Sequence, residues 1–380
     1  MTDKDSVITI EPEHETLARA ASAGRTLPEI VEGQLRTLQV QHQAVLSGGS
    51  VEAIHKMRVA TRRLQASLDL LEVKSGNLKT PKLKKQLREW RRMLSTVRNY
   101  DVFLQLISLE APPRKAGRGE QFATLVSVLE KKRAERISKV QDYLSKADIP
   151  KFAARLGITI PPLPKPTQAA DGEEESAPIK DEAGEAAVEE GAVERAEGVA
   201  GEGHVTPDLK KWPDDSRIAL RAADRIDQRL GEFQALAAQA HATTHPRELH
   251  ELRLSAKRLR YLLEIVSNLG HGDASRALIS LRSIQDKIGD WHDLEALEEE
   301  IIGTVSKRKF LKRHLSESAH LILAAEHLEK KKSALVKRLF PIRVARSVPA
   351  TSQKLARALR RSASPPKTES EPPAENTGGE

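Results

Sequence analysis

Two ten-residue segments, His55 to Leu64 and His250 to Leu259, carry one pattern 195 positions apart. In each, a histidine is followed at +3, +7 and +8 by Arg or Lys and at +2, +4 and +9 by Met, Val or Leu. A second pair, Leu94 to Asn99 and Ile288 to Asp293, aligns at an offset of 194, so the two blocks keep their separation within each half. Such self-similarity marks one structural unit used twice, and it confines the fold to architectures that accept two copies of that unit.

The unit reads as helical. At about 100° per residue, Arg58, Arg62 and Gln65 fall within about 80° of His55, while Met57, Leu64, Leu68 and Leu71 gather on the opposite side. The second copy divides in the same way: His250, Arg253, Lys257 and Arg260 share a polar stripe, and Leu252, Leu259, Leu263 and Val266 an apolar one. Arg63 and Arg258 flank the other side of each histidine. Helical spacing also runs from Leu27 through Ile30, Val31, Leu35 and Leu38, and from Leu83 through Leu87 and Leu94. Ser50, following Gly48 and Gly49, is suited to cap the second helix, and Thr80-Pro81 to open the third. Further helices are expected from Tyr100 to Leu109 and from Gln121 to Leu144. Aromatic residues make up only 3% of the chain and Leu, Ala, Arg, Lys and Glu dominate, which favours helix packing and predicts an all-α fold.

The chain of 380 residues is long enough for two helical units with accessory segments. Its net charge of +8 averages two unlike parts. Residues 161–204 hold 12 Asp or Glu against 3 Lys or Arg, a local net of −9; the remainder therefore carries +17, the difference between +8 and −9. A field of that sign draws in anions. The boundaries expected from composition are a tail over 1–26, a first repeat over 27–156, a disordered acidic linker over 157–215, a second repeat over 216–346 and a disordered tail over 347–380. A short basic helix around Lys354 to Arg361 has room to form within that tail. The absence of cysteine excludes disulfide scaffolds, thiolate nucleophiles and Cys-ligated zinc. Residues 1–10 lack a basic start followed by an apolar core, and no apolar run approaches a membrane span, so a soluble, intracellular protein with no membrane partner is expected.

The segment after the first motif adds Lys84, Lys85, Arg88, Arg91, Arg92 and Arg98, of which Lys84, Arg88, Arg91 and Arg98 share a polar side facing away from Leu83, Trp90, Met93 and Val97. Carboxylate partners at i and i+4 are scarce here, and like charges three or four apart repel by some tenths of a kcal/mol per pair. The pattern therefore points to an external polyanion. Each histidine at the head of a basic stripe would be held neutral in the free chain and gain its proton as an anion arrives. Two rival readings share the charge. Nucleic-acid binding lacks aromatic platforms interleaved with the basic stripes, so nucleic acid is not the expected partner. A metal-dependent phosphohydrolase or a phosphoryl carrier working through histidine would need clustered carboxylates; Asp101, Asp290 and Asp293 sit where caps or ion pairs are expected, and no Gly-rich phosphate loop or H-E-x-x-H helix is present. No catalytic residue, metal or cofactor is assigned.

The pattern H-x-M-R-V-x-x-R-R-L at His55 to Leu64, its partner H-x-L-R-L-x-x-K-R-L-R-Y at His250 to Tyr261, and V-R-N-Y-D-V at Val97 to Val102 resemble the CHAD family, the conserved-histidine α-helical domain, from about Leu27 to Phe340. The resemblance implies two four-helix-bundle-like repeats related by a pseudo-twofold around a basic central groove. It also implies non-catalytic binding of inorganic polyphosphate, with association with polyphosphate granules and their proteins in the bacterial cytoplasm. Carried over by position, it implies binding roles for His55, Arg58, Arg62 and Arg63, and for His250, Arg253, Lys257 and Arg258; the run from Lys84 to Arg92 would line the same groove. Two positions depart from the family pattern, Asn99 where an acidic residue is common and His292 where Arg or Asn is usual. The triphosphate-tunnel domain that accompanies many relatives has no counterpart here beyond a faint echo at Glu11 and Glu13, so its triphosphatase activity is not expected.

Overall fold

The structure is a computed structural model that describes residues 24–71, 80–110, 118–163, 212–242, 246–339 and 346–364. Among these residues the regular structure is entirely helical, as predicted. The first half contributes α1 (Leu27–Ser47), α2 (Val51–Leu71), α3 (Thr80–Glu110), α4 (Arg118–Leu144) and the short α5 (Ile149–Ala154). The second contributes α6 (Asp215–Ala242), α7 (Pro246–Asn268), α8 (Ser275–Val305), the short α9 (Arg308–Arg313), α10 (Leu315–Leu339) and α11 (Ser347–Ala363).

Local chemistry fixes where α2, and with it His55, begins. Thr26 and Glu29 form a reciprocal capping box at the start of α1, in which the Thr26 amide donates to Glu29 Oε2 at 2.8 Å. The turn to α2 passes through Gly49 at φ 62°, a left-handed conformation that favours glycine. A β-carbon there would also meet Ile137 Cδ1 at 2.6 Å, because α4 crosses close over the turn. Arg133 of α4 secures the crossing by donating from Nη2 to the Gly49 carbonyl at 3.1 Å. Ser50 then accepts from the Ala53 amide at 3.1 Å, the cap expected from the sequence.

Within each half, successive helices pack on their neighbours: α1 on α2, α2 on α3 and α3 on α4, then α6 on α7, α7 on α8 and α8 on α10. The two motif helices, α2 and α7, also pack on each other. Their apolar stripes are buried in one continuous core, which contains Met57, Leu64 and Leu68 from α2 and Leu252, Leu259 and Leu263 from α7. The helices α3 and α8 are each 31 residues long, roughly 46 Å at 1.5 Å per residue. Their far ends enter a second core, where Phe103 and Ile107 join Leu125 and Leu129 of α4, Leu294 and Leu297 of α8, and Leu321 and Leu328 of α10.

Several boundaries differ from those read in the sequence. The separate helix expected from Tyr100 to Leu109 is the continuation of α3, since no residue between Arg91 and Tyr100 breaks the helical hydrogen bonding. Order extends past Leu156: Ile158 and Ile160 are buried, Gln39 Nε2 donates to the Pro161 carbonyl at 3.1 Å, and Trp212 Nε1 donates to the Leu156 carbonyl at 2.8 Å. The segment expected to be an acidic linker is thus anchored at both margins, while its charged part, residues 164–211, lies outside the described residues, as do residues 1–23 of the expected N-terminal tail. The expectation of disorder from residue 347 is corrected over Ser347–Ala363. Val348, Leu355, Ala356 and Leu359 there follow helical spacing and are buried against α6 and α8, and Arg360 Nη2 donates to Asp224 and Asp227 at 3.1 and 2.6 Å. The Pro, Ser and Glu content of the whole tail masks this short periodicity.

Truncating Leu355 removes a buried side chain from that contact, so Leu355→Ala is expected to cost about 2–4 kcal/mol of unfolding free energy. Leu315→Ala, at a side chain 71% exposed, is expected to stay within about 0.5 kcal/mol. Urea denaturation of both variants checks the contrast.

Candidate anion-binding site

The packing of α2 on α7 turns two separate stripes into one polar surface with its own internal bonding. Arg62 Nε donates to the Tyr261 hydroxyl at 3.1 Å across the junction of the halves. The Arg260 guanidinium lies 4.8 Å from the centre of the Tyr261 ring, a cation–π arrangement on the same residue. From α3, Arg91 Nη2 donates to Gln65 on α2 at 2.9 Å. Burial, the Arg62 guanidinium and the nearby Arg88 together bring the Arg91 guanidinium down to about 10, against the opposing influence of Tyr261. A guanidinium perturbed this far reports cations crowded in a partly dehydrated place.

A second group forms where α7 faces α8. The rings of His250 and His292 lie 5.1 Å apart, centre to centre. A β-carbon at Gly289 would stand 3.4 Å from Arg253 Nη2, so the Arg253 guanidinium rests against the backbone of α8. Lys257 joins them with only 6% of its surface exposed. Burial and then Arg253, His250 and Lys257 hold His292 at about 4, and burial with Arg253 and Lys257 holds His250 below the ordinary histidine value.

Carboxylates limit the positive surface at its margins. Glu264 of α7 lies 3.7 Å from Arg63 Nε on α2 and 3.7 Å from Arg260 Nε on its own helix. Arg282 of α8 belongs to the same group; burial lowers its proton affinity, Arg260 and Arg63 add to that, and Glu264 opposes it. The position aligned with Glu264 in the first half is Asp69, which accepts from Lys84 at 2.7 Å.

The predicted residues therefore divide by their surroundings. Arg62, Arg88 and Arg91 come together at the junction, with Tyr261; His250, Arg253 and Lys257 come together on the face toward α8. Lys84 and Arg260 are buried and engaged with Asp69 and Glu264, and Arg63 also approaches Glu264. Lys85, Arg88, Arg92 and Arg258 are exposed; the Arg92 charge acts on Tyr143 of α4. His55, 5% exposed, and Arg98 are buried, and Arg58 is half-buried. Sequence reasoning missed Tyr261, Glu264, Arg282 and His292 as members of the site. Their signals were present: Tyr261 and Glu264 lie within about 40° of His250 on the helix, and Arg282 aligns with Arg88, as His292 does with Arg98, at the offset of 194.

Among the described residues no group of three or more His, Asp or Glu is placed to hold a metal ion. No helix among them is long and apolar enough to cross a membrane.

A family model described as "CHAD domain" matches residues 29–301. The crystal structure of the CHAD domain from the plant Ricinus communis superposes with a TM-score of 0.51 at 18% identity, covering 85% of this chain and 94% of that one, a likeness of fold. PptA from Streptomyces chartreusis aligns with a TM-score of 0.45 at 17% identity, over 88% of this chain and 98% of that one. No curated protein matches the sequence.

The two depressed histidines make the unliganded fold sensitive to acid. The unfolded chain takes up protons near the ordinary histidine value of about 6.5, whereas folded His292 does so only at about 4. Stability is therefore complete above the first value and is lost as pH falls toward the second. The thermal midpoint should drop through this window, and the drop should be smaller in His292→Asn; equal drops in both proteins would contradict a His292 held neutral by its surroundings.

Proposed function

This chain belongs to the CHAD domain family, and from that premise we propose that the surface formed by α2, α3, α7 and α8 binds inorganic polyphosphate without turning it over. The observation that carries the reading is the crowding of cations where the two halves meet. Arg62 and Arg91 of the first half meet beside Tyr261 of the second, where burial first and then the Arg62 charge lower the proton affinity of Arg91, and around Glu264 the Arg63 guanidinium of the first half acts on Arg282 together with Arg260 of the second. Keeping like charges together costs free energy that a dense anion recovers on binding. Polyphosphate offers no side chains to read, so recognition rests on bidentate guanidinium contacts and on mobile ammonium groups. Arg58 and Arg62 from one motif and Arg253 and Lys257 from the other supply both kinds.

The pseudo-twofold arrangement and basic groove implied by the family resemblance fit this reading. Two half-sites on one polymer act together, so a long chain gains an effective local concentration that orthophosphate lacks. Association with polyphosphate granules in the cytoplasm, and with the proteins that coat them, follows as the cellular form of the same binding.

The test is binding of long-chain polyphosphate by the full chain. Replacing Arg58, Arg62, Arg253 and Lys257 by Ala is expected to lower affinity by two orders of magnitude or more, and wild-type affinity in the folded variant would refute the reading. In the wild type, log affinity should fall with log salt at about 0.7 per phosphate neutralised, as for single-stranded polyanions. RNA at matched phosphate concentration should compete poorly; equal competition would favour a nucleic-acid partner. Phosphate release from polyphosphate with Mg²⁺ or Mn²⁺ should stay at background, and turnover lost in His55→Ala would establish an enzyme instead.

A further inference from the structure

The two halves differ at one aligned position of the repeated block. Arg98 stands there in the first half and His292 in the second. A guanidinium carries its charge at any physiological pH, whereas an imidazole becomes a cation only when a proton reaches it. The carboxylates three residues on also align, Asp101 with Glu295. Asp101 is committed to Arg133, whose Nε donates to it at 2.5 Å. Glu295 instead approaches His292, its Oε2 lying 3.6 Å from Nδ1.

Arg253 and Lys257 give the surroundings of His292 a cationic side. From α7 it faces His250, Arg253 and Lys257; from its own helix it has Glu295, which lies in turn within the field of Lys332 on α10. The ring of His250 is 5.1 Å away, and the Arg253 guanidinium is seated on the backbone at Gly289, one turn earlier on α8. Two imidazoles, a guanidinium and an ammonium thus come together, with Glu295 beside His292 and Glu251 acting on His250. We propose that His250 and His292 form a proton-coupled phosphate subsite, in which the anion seats against both rings, Arg253 and Lys257, and the rings take up protons as it arrives.

This inference rests on the polyphosphate reading and adds a linked proton to it. In the free chain, burial and neighbouring cations keep His292 neutral. A phosphate in contact reverses the sign of that local field and stabilises the imidazolium. Proton uptake on binding and tighter binding in acid are one coupling free energy observed from two sides. The aligned position of the first half holds Arg98, a guanidinium where the second half has an imidazole, so it is the second half that strengthens as pH falls. Glu295, which burial already holds above the usual carboxylate range, would take up protons in the same direction, so the discriminating substitution is at His292.

Isothermal titration with long-chain polyphosphate, whose interior phosphates stay ionised, in two buffers of different ionisation enthalpy counts the protons taken up by the wild-type full chain. Between pH 8 and pH 6 the expected slope of log affinity is about −0.5 per pH unit or steeper, with matching proton uptake. His292→Asn should flatten the slope, and His292→Arg should tighten binding at pH 8 severalfold. Tight wild-type binding with no proton uptake, or an unaltered slope in His292→Asn, would overturn the subsite and leave the polyphosphate reading standing. Absence of wild-type binding at every pH would remove both.

Discussion

Like charges held together across the contact of α2 and α7 set the terms for the whole molecule. Each helix presents a row of cations on one side and a row of Leu and Met on the other, and only the second row gains by the contact. The apolar rows lie at the centre of a core shared by both halves, so separating the cations would require opening that core. What would be a fluctuating surface charge on an isolated helix becomes a fixed field. Tyr261 and Gln65 give individual guanidiniums a defined direction within it, through the bonds from Arg62 and Arg91.

The carboxylates at the margins give the field its limits. Asp69 and Glu264 occupy the same place in the two motif helices, and each neutralises cations that would otherwise extend the positive stripe. Lys84 and Arg260 are both buried, paired with Asp69 and Glu264. Arg62 and Arg91, beside Tyr261, owe their arrangement to a helix junction. Sites built on packed helices hold their geometry more narrowly than sites on loops.

Much of this was legible in the sequence, and the reasons differ by residue. Arg58, Arg62, Arg253 and Lys257 could be read because charge, helical spacing and duplication agree, three constraints that chance seldom meets together. The capping role of Ser50 was readable from local chemistry alone. Lys84 was read as part of an open stripe because its pairing with Asp69 depends on how α3 folds back on α2, which periodicity does not report. His292 could be recognised as unusual but not as a neighbour of His250, since that proximity arises only when α7 and α8 pack. Of α11 only the stretch around Lys354 to Arg361 was legible, because its few apolar residues sit among Arg, Ser and Pro; tertiary burial, and not intrinsic propensity, extends the helix over Ser347–Ala363.

That late helix has a consequence for how the molecule is made. The helices α6 and α8 contribute to the second half's part of the core, yet the residues that cover them, Val348, Leu355 and Leu359, are synthesised more than forty positions after α8 ends at Val305. At ribosomal rates of about 5–20 residues per second, the interval is on the order of several seconds. During it, apolar surface on α6 and α8 stands uncovered in a chain whose first half already has its full complement of helices. The shared core is thus closed in stages, the second half's share of it only once the tail has swung back.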